Sequence, residues 1–215
     1  NDYRTVDLPF VENDDELGTG DAWAGWFKST DGGKSWFTGL LPGYPQDPNK
    51  TPPLYGFQAA ADPIVRPGFN GMLYYSGIAH DRTPTRKSLV FVARFNDLNN
   101  VEKGDPIKLL DISVVFDGRP QNLFADKPAM AVDFPRPGQS VTCSVAGQTI
   151  LGGNVYVVYT IVNATETEAT LWFARSTDCG ATFSTPEEIS GRNSLNQGAV
   201  IAIDPRTGDV YVVWR

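Results

Sequence analysis

The sequence lacks the long apolar runs and the amphipathic helical segments that several protein classes require. No stretch of its 215 residues approaches the roughly 18 consecutive apolar residues of a transmembrane helix, so we expect no membrane span. Apolar residues instead form short, strand-sized runs, which are separated by many of the 21 glycines and 16 prolines. This pattern is typical of an all-β protein with many turns.

Basic residues are outnumbered, with 18 Lys and Arg against 25 Asp and Glu and a formal net charge of −7. Binding to nucleic acid requires clustered Lys and Arg, and no basic stripe is present, so we expect no nucleic-acid partner. Zinc-ligand spacing, phosphate-binding loops and the serine-hydrolase elbow are also missing. The single histidine, His80, could act as an acid or base, but an isolated loop histidine is more often solvated or hydrogen-bonded. We expect no obligatory cofactor.

One octapeptide pattern occurs twice, as Ser29–Trp36 and again as Ser176–Phe183. Both copies read Ser-x-Asp-x-Gly-x-Ser/Thr-aromatic, which indicates a tight turn between strands. The Asp and Ser oxygens can accept backbone N–H groups, the Gly can adopt a positive φ, and the aromatic ring can pin the turn to the surface beneath it. A third copy at Asp97 lacks the glycine and the aromatic residue. The structural positions are Ser29, Asp31, Gly33, Trp36, Asp97, Ser176, Asp178, Gly180 and Phe183.

The two intact copies resemble the Asp-box (BNR) repeat of the sialidase-like β-propellers. In that family the box is a structural turn away from the active site. The resemblance implies four-stranded antiparallel blades in a six-bladed ring, within the usual range of about four to eight blades.

A strand-turn-strand unit also recurs and supports this division. It begins at Asp62-Pro63, at Asp126-Lys127-Pro128 and at Gln197-Gly198. Residues 1–215 are thus predicted to form a partial propeller of about three blades, with blade parts at 1–42, 58–115, 126–190 and 198–215. Because a partial ring would expose blade faces and strand edges, we expect the same, longer polypeptide or partner chains to supply the rest.

The chain has two cysteines, Cys143 and Cys179. They are either two free thiols or one disulfide. In the predicted blade, both lie in connections at the same end of the sheet, which would allow a bridge. A disulfide would indicate an oxidising compartment, and we expect a secreted or cell-surface protein.

The resemblance places ligand binding at the end of the blades opposite the boxes. It implies that arginines there would bind a substrate carboxylate, a task suited to guanidinium groups, and that an Asp would act as the acid/base. The candidate arginines are Arg4, Arg82, Arg119 and Arg192, and the candidate acids are Asp15 and Asp21. The loop that contains Asp14, Asp15 and Glu16 is alternatively solvated, or it binds calcium through its carboxylates and Asn13.

Two functions are compatible with these features. The first is a noncatalytic propeller that binds glycan or protein, or has a structural role, with a carbohydrate or glycoprotein as partner. The alternative is an exo-acting, sialidase-type glycoside hydrolase that combines an arginine cluster and an Asp with a Tyr nucleophile outside this chain. The family's aromatic-Arg-Ile-Pro signature is absent, and Tyr3-Arg4-Thr5-Val6 matches it only in part. We therefore favour the first function.

Overall fold

The computed structural model describes residues 4–7, 20–82, 87–97, 107–139, 141–145, 147–163, 165, 167–191 and 195–215, with side chains from residue 22 onward. These residues form β-strands, a single 3₁₀ turn at Arg119–Gln121 and no α-helix. No helix in these ranges could cross a membrane. The prediction of an all-β protein is confirmed.

Sixteen strands are present in the described ranges. In chain order they are β1 (Arg4–Asp7), β2 (Gly20–Trp23), β3 (Gly25–Lys28), β4 (Phe37–Leu40), β5 (Ala59–Pro67), β6 (Met72–His80), β7 (Ser88–Asn96), β8 (Lys108–Asp117), β9 (Phe124–Val132), β10 (Val141–Val145), β11 (Gln148–Gly152), β12 (Val155–Val162), β13 (Ala169–Ser176), β14 (Glu187–Glu188), β15 (Val200–Ile203) and β16 (Val210–Val213).

Two four-stranded sheets form the centre of the structure. Sheet I has the order β5-β6-β7-β8, and sheet II has the order β9-β12-β13-β14. All neighbouring strands are antiparallel. Sheet II differs from sheet I by an insertion, because the β10–β11 hairpin lies between its first and second strands. The other pairs are β1–β2, β3–β4 and β15–β16, and none of the sheets closes into a barrel.

The sheets pack face to face in the order in which they occur along the chain. Tyr74 and Val92 of sheet I share a core with Val157 and Tyr159 of sheet II. The opposite face of sheet I packs on Trp23 and the segment around β2–β4. The opposite face of sheet II packs on β15–β16. The central strands are therefore buried on both faces, and β7 is buried at every position, which explains why their sequences are continuously apolar.

Residues 20–28 form two strands and not one, because the chain is interrupted at Ala24, and β2 and β3 pair with different strands. Pairing continues past the break, because the Leu41 N–H donates to the Ala24 carbonyl over 2.9 Å. The indole of Trp23 donates to the Leu41 carbonyl over 2.8 Å. These bonds hold β2, β3 and β4 together as one unit.

A disulfide joins Cys143 on β10 to Cys179 in the β13–β14 connection, with the Cα atoms 5.7 Å apart. The sequence alone allowed either this disulfide or two free thiols. The bridge fixes the inserted hairpin to the edge of sheet II. Gly152 permits the close approach, because a Cβ there would lie 2.2 Å from the Cys179 sulfur.

The strand directions define two ends of the structure, which we use below. The turn end contains the β3–β4, β5–β6 and β13–β14 connections. The open end contains the β6–β7, β8–β9 and β12–β13 connections. At the open end the Ser88 hydroxyl joins the two sheets, because it donates to the Ala125 carbonyl over 2.9 Å and accepts the Ala125 N–H over 2.6 Å.

Candidate functional site

The first repeated octapeptide, Ser29–Trp36, forms a compact hydrogen-bonded turn between β3 and β4. Asp31 Oδ1 accepts the N–H groups of Lys34 and Ser35, both over 2.9 Å, and Oδ2 accepts the Ser35 hydroxyl over 2.6 Å. Ser29 Oγ donates to Asp31 over 2.8 Å and accepts the Gly33 N–H over 2.7 Å. Gly33 has φ +88°, a conformation that suits glycine.

The second octapeptide, Ser176–Phe183, repeats this network between β13 and β14. Ser176 Oγ donates to Asp178 over 2.7 Å and accepts the Gly180 N–H over 2.7 Å. Asp178 accepts the N–H of Thr182 over 2.9 Å and its hydroxyl over 2.7 Å. We call these two segments the first and second Ser-Asp turns. The carboxylate oxygens of Asp31 and Asp178 accept hydrogen bonds from within their own turns. Neither carboxylate is therefore placed to act on a ligand.

The charge of each turn carboxylate is stabilised by these bonds. The hydrogen bonds from the Ser35 side chain and backbone and from Ser29 hold the pKa of Asp31 well below its usual value. Burial opposes ionisation of Asp178, but the hydrogen bonds from Ser176 and Thr182 outweigh it and lower the pKa of Asp178. Both groups are therefore anionic structural acceptors at neutral pH.

The aromatic residues of the two turns differ in their surroundings. Phe183 packs against the core between sheets I and II, as the pinning role requires. Trp36 instead donates its indole N–H to the Gly33 carbonyl of its own turn over 3.1 Å and remains 57% exposed. The expectation that Trp36 pins the turn to a surface below is therefore wrong for this chain, because no other sheet of the described structure lies behind it.

The third copy is held by different contacts. The Asp97 N–H donates to the Gly71 carbonyl over 2.8 Å. The Asp97 carboxylate forms an ion pair with Lys28, whose Nζ lies 2.6 Å away. Lys28 immediately precedes the first Ser-Asp turn, so this contact joins sheet I to the preceding strands.

Two of the four predicted substrate-binding arginines lie together at the open end of sheet I. The Arg82 N–H donates to Gln58 Oε1 over 2.7 Å. Arg119 stacks over the Phe57 ring, with its guanidinium carbon 5.1 Å from the centroid. Its Nε and Nη2 donate to both oxygens of Asp117 over 2.7 to 3.1 Å. The guanidinium of Arg119 is thus already engaged by a carboxylate, which weakens its candidacy as a substrate ligand.

The other predicted site residues lie outside the described part of the structure. This applies to Asp14, Asp15, Glu16 and Arg192, and to the side chains of Arg4 and Asp21. Among the described residues, no group of three or more His, Cys, Asp or Glu is arranged to hold a metal ion. The proposed calcium site, which lies in residues 14–16, stays a prediction.

Burial and charge shape the environment of Asp81 and His80, which also lie at the open end. Burial raises the pKa of Asp81, against the opposing effects of Lys87, His80 and Arg119. The His80 ring is buried and packs edge-on against Phe124 at a centroid distance of 6.0 Å. Its Nδ1 lies 3.4 Å from the Asp81 carbonyl oxygen, so of the two expected states His80 is a packed, hydrogen-bonded side chain and not a solvated one.

A carboxyl pair, Asp62 and Asp126, joins the first strands of sheets I and II. The Lys127 N–H donates to Asp126 Oδ1 over 2.9 Å and to Asp62 Oδ2 over 3.3 Å, and the Lys127 ammonium pairs with Asp126. Burial is the largest cause that raises the pKa of Asp62, and a hydrogen bond to Asp126 and the charge of Asp126 raise it further. Asp62 therefore holds a proton more tightly than an ordinary Asp.

The same backbone distortion places both members of this pair. Asp62 and Lys127 have φ values of +56° and +50°, and each precedes a proline at a bulge in its strand. Gly198, the equivalent residue in the third repeat of the strand-turn-strand unit, has φ +69°. The sequence signal for this site was the proline early in the first strand of sheets I and II. Sequence reasoning used that proline only to define the repeated unit and did not predict the carboxyl pair.

A cleft of about 450 Å³ opens between sheets I and II near the open end. One wall is formed by Phe116, and the other by Trp172, Thr170 and Glu168. The indole N–H of Trp172 donates to the Thr170 hydroxyl over 2.9 Å. At the rim, Asn163 Oδ1 accepts the N–H of Glu168 over 3.2 Å, which positions the β12–β13 turn.

This cleft is the most complete binding arrangement in the described residues. It combines partly buried aromatic rings with carboxylate, hydroxyl and amide groups, the mixture that ligand pockets use to hold and orient small polar molecules. Sequence reasoning missed this cleft because its residues are far apart in the chain, on strands and connections of both sheets. Only the stacking of the two sheets brings them together.

No protein-family profile matches the chain, and no curated protein matches it. Among solved structures, the chain resembles a crystal structure of a protein of unknown function from Dyadobacter fermentans DSM 18053, with 19% sequence identity and a TM-score of 0.41. The match covers 87% of this chain and 43% of the other, so the chain spans less than half the length of that protein.

Proposed function

We propose that the chain is part of a sialidase-like β-propeller that binds glycans without catalysing a reaction. Sequential stacking of sheets supports the propeller arrangement. The first strands of neighbouring units, β5, β9 and β15, lie next to one another, as strands around a central axis would. The two Ser-Asp turns lie at the same end, which leaves the open end and the clefts between sheets for ligands.

The observation that carries the binding function is the cleft beside Trp172. The face of an indole ring can pack on the C–H face of a sugar ring, and such aromatic rings contribute large contact areas with defined geometry. The Glu168 carboxylate and the Thr170 hydroxyl line the same cleft and would accept or donate hydrogen bonds to sugar hydroxyls. A neutral or amino-substituted saccharide fits this chemistry better than an anionic one, because Glu168 and Glu188 both line the cleft.

Binding to an array of glycans, followed by calorimetry on the best ligand, tests this proposal. We expect Trp172→Ala to weaken binding about tenfold or more, the usual cost of removing an aromatic anchor, while Trp172→Phe retains part of the affinity. Phe134→Ala is a matched control, because Phe134 is an exposed aromatic residue, 49% accessible, outside the cleft. Equal binding by Trp172→Ala and the parent protein would refute a site in this cleft.

The Asp62–Asp126 pair favours glycoside hydrolysis as a second candidate function. Burial and the neighbouring Asp126 raise the pKa of Asp62, so Asp62 can keep a proton under conditions in which an ordinary Asp is ionised, as a general acid must. Turnover of fluorogenic glycosides, a sialoside included, would support this function if Asp62→Asn and Asp126→Asn abolish it and Asp31→Asn does not. A parent protein inert toward the whole panel would leave the binding function as the better proposal.

The disulfide supports the location that we propose, which is outside the cell or on its surface, because such bonds persist in oxidising compartments. Exposed apolar residues on β15 and β16 (Val200, Tyr211 and Val213) support the further proposal that other strands complete the ring. Glycoproteins are the partners that fit a glycan-binding propeller in this location.

A further inference from the structure

The cleft beside Trp172 carries charge of one sign. Of the described residues that line it, Glu168 and Glu188 are acidic and none is basic. Glu188 already interacts with another group of the chain. Within the part of the chain that the structure describes, the Glu168 carboxylate has no hydrogen-bond or ion-pair partner, and only the backbone of this residue is bonded. Glu168 is therefore the acidic group of the cleft that remains for a ligand.

The backbone of Glu168 is fixed at the rim of the cleft. Its N–H donates to Asn163 Oδ1 over 3.2 Å, and its carbonyl accepts the Asn163 N–H over 3.0 Å. Asn163 Oδ1 also accepts the Thr167 N–H over 2.9 Å. These bonds close the β12–β13 turn and hold the position from which the carboxylate projects. A group that is held before binding loses less conformational freedom when a ligand arrives.

Glu168 and Trp172 lie in one row with Thr170 between them. Side chains two residues apart in an extended chain point to the same face of a sheet, and all three of these residues line the cleft. The strand rise places the Cα atoms of Glu168 and Trp172 about 13 Å apart. The bond from the Trp172 indole to the Thr170 hydroxyl, 2.9 Å long, orients the ring within this row. The row therefore suits a ligand of at least two linked sugar rings.

The chemistry of this row favours a cation over a neutral group. An ammonium donates charge-assisted hydrogen bonds to a carboxylate, and such bonds are roughly twice as strong as those between neutral groups. The faces of aromatic rings such as Trp172 and Phe116 also attract cations. A sugar hydroxyl at Glu168 would gain only a weaker hydrogen bond, and an anionic group would be repelled.

We infer that this cleft selects saccharides that carry a free, protonated amino group. One ring packs on Trp172, and Glu168 binds the ammonium of a linked ring. The inference rests on the proposed function, because it names the class of glycan that the same cleft binds. It predicts that replacing the ammonium by a hydroxyl, with the ring and its linkages unchanged, weakens binding.

Calorimetry with two matched ligands tests the inference. The ligands are β-linked tetrasaccharides of glucosamine and of glucose with the same linkage, compared at a pH above the ordinary Glu pKa of about 4.3 and below the pKa of the sugar amine. We expect the parent protein to bind the glucosamine form about tenfold more tightly, the lower end of the effect of a hydrogen bond between charged groups. Added salt should reduce this preference, because the carboxylate is only partly buried.

Glu168→Gln is the decisive variant, because it removes the charge and keeps the shape of the side chain. It should weaken binding of the glucosamine form about tenfold and leave binding of the glucose form unchanged, which also shows that the variant is folded. Glu187→Gln is the matched control. Glu187 is an exposed glutamate on β14 that lies outside the cleft, so its replacement should retain the preference.

Equal affinity of the parent protein for the two tetrasaccharides, or a preference that survives Glu168→Gln, would overturn the inference. Binding of a lysine tetrapeptide as tightly as the glucosamine form would also overturn it, since the cleft would then recognise charge without a sugar. Trp172→Ala separates the inference from the proposed function. A parent protein that binds both saccharides equally, and loses both with Trp172→Ala, keeps the proposed function and lacks the charge preference, whereas a parent protein that binds no saccharide refutes both.

Discussion

Asp178 and Asp31 occupy the same position in the two Ser-Asp turns, yet their surroundings differ. The second turn packs against sheet I, where the Ser113 hydroxyl donates to the Ala181 carbonyl over 2.9 Å. The first turn is exposed from Thr30 to Trp36. The same hydrogen-bond pattern therefore stabilises a turn in both cases but contributes to contact between sheets in only one.

We predict that Asp178→Asn lowers the free energy of unfolding by about 1 kcal/mol, a charge-assisted hydrogen bond discounted for partial solvent exposure. The same change at Asp31 should cost less, because the exposed turn contributes little to packing. Urea denaturation of the two variants side by side measures the difference. Equal losses would show that the turn acts through its local backbone alone.

Asp62 gives the protein a specific pH dependence. Its pKa is raised above the ordinary value of 3.8, so the folded protein holds a proton that the unfolded chain releases. Stability from this group is full below about pH 3.8 and is lost as pH rises through the higher, folded pKa. We predict that Asp62→Asn removes this decline in unfolding free energy, which urea melts across the acidic range would detect. An unchanged slope would contradict the assignment.

At the scale of single elements, β5 and β9 each contain a residue in the left-handed region directly before a proline. A non-glycine residue in this conformation stores about 1 kcal/mol or more of strain. The distortion places Asp62 beside Asp126, so a costly backbone conformation coincides with the Asp62–Asp126 carboxyl pair described above.

Substitutions at Lys127 test this interpretation. We predict that Lys127→Gly changes stability by less than about 1 kcal/mol, because relief of strain offsets the added entropy of the unfolded chain. Lys127→Val should destabilise by more than that, since a β-branched residue resists positive φ. Thermal unfolding gives both values, and a harmless valine would argue against the strained bulge.

The disulfide is the covalent part of the attachment of the β10–β11 hairpin, whose Val145 and Ile150 also pack in the core between sheets I and II. The bridged cysteines are 36 residues apart. Loop-closure entropy for a loop of this length corresponds to about 3 to 4 kcal/mol. We predict a loss of this order for the double change Cys143→Ser and Cys179→Ser, measured by denaturation. The parent protein under reducing conditions is the control, and it should approach the variant.

At the scale of the whole molecule, stability depends on contacts between sheets that are far apart in sequence. Arg94 is central to these contacts. Its side chain is 7% exposed, it pairs with Asp111 on the neighbouring strand, and it reaches the Cys179 carbonyl of sheet II. Tyr74 and Arg94 also flank Gly180, where a Cβ would lie 3.1 Å and 3.2 Å from their side chains.

We predict that Arg94→Met lowers the free energy of unfolding by about 1 to 3 kcal/mol, because it leaves the buried Cys179 carbonyl without its donor. Hydrogen exchange should then accelerate at the second Ser-Asp turn and not at the first. Uniform acceleration in both turns would indicate a general loss of stability and not the loss of this contact.

The sequence by itself determined the all-β class, the continuous apolar strands and the two turn motifs, because these features depend on local patterns. The patterns are strand-sized apolar runs, Gly and Pro between those runs, and Ser, Asp and Gly at fixed spacing. It also brought Cys143 and Cys179 to the same end of one predicted sheet. Local patterns could not decide that Arg119 is occupied by Asp117 or that Trp36 is exposed while Phe183 is packed.

Only the tertiary structure decided which residues form the cleft and which form the carboxyl pair. Trp172, Phe116 and Glu168 become one cleft, and Asp62 and Asp126 become one carboxyl pair, because sheets I and II stack and place their first strands side by side. Contacts of this kind depend on the distance between sheets and on the register of bulges, which hydrophobic periodicity does not encode.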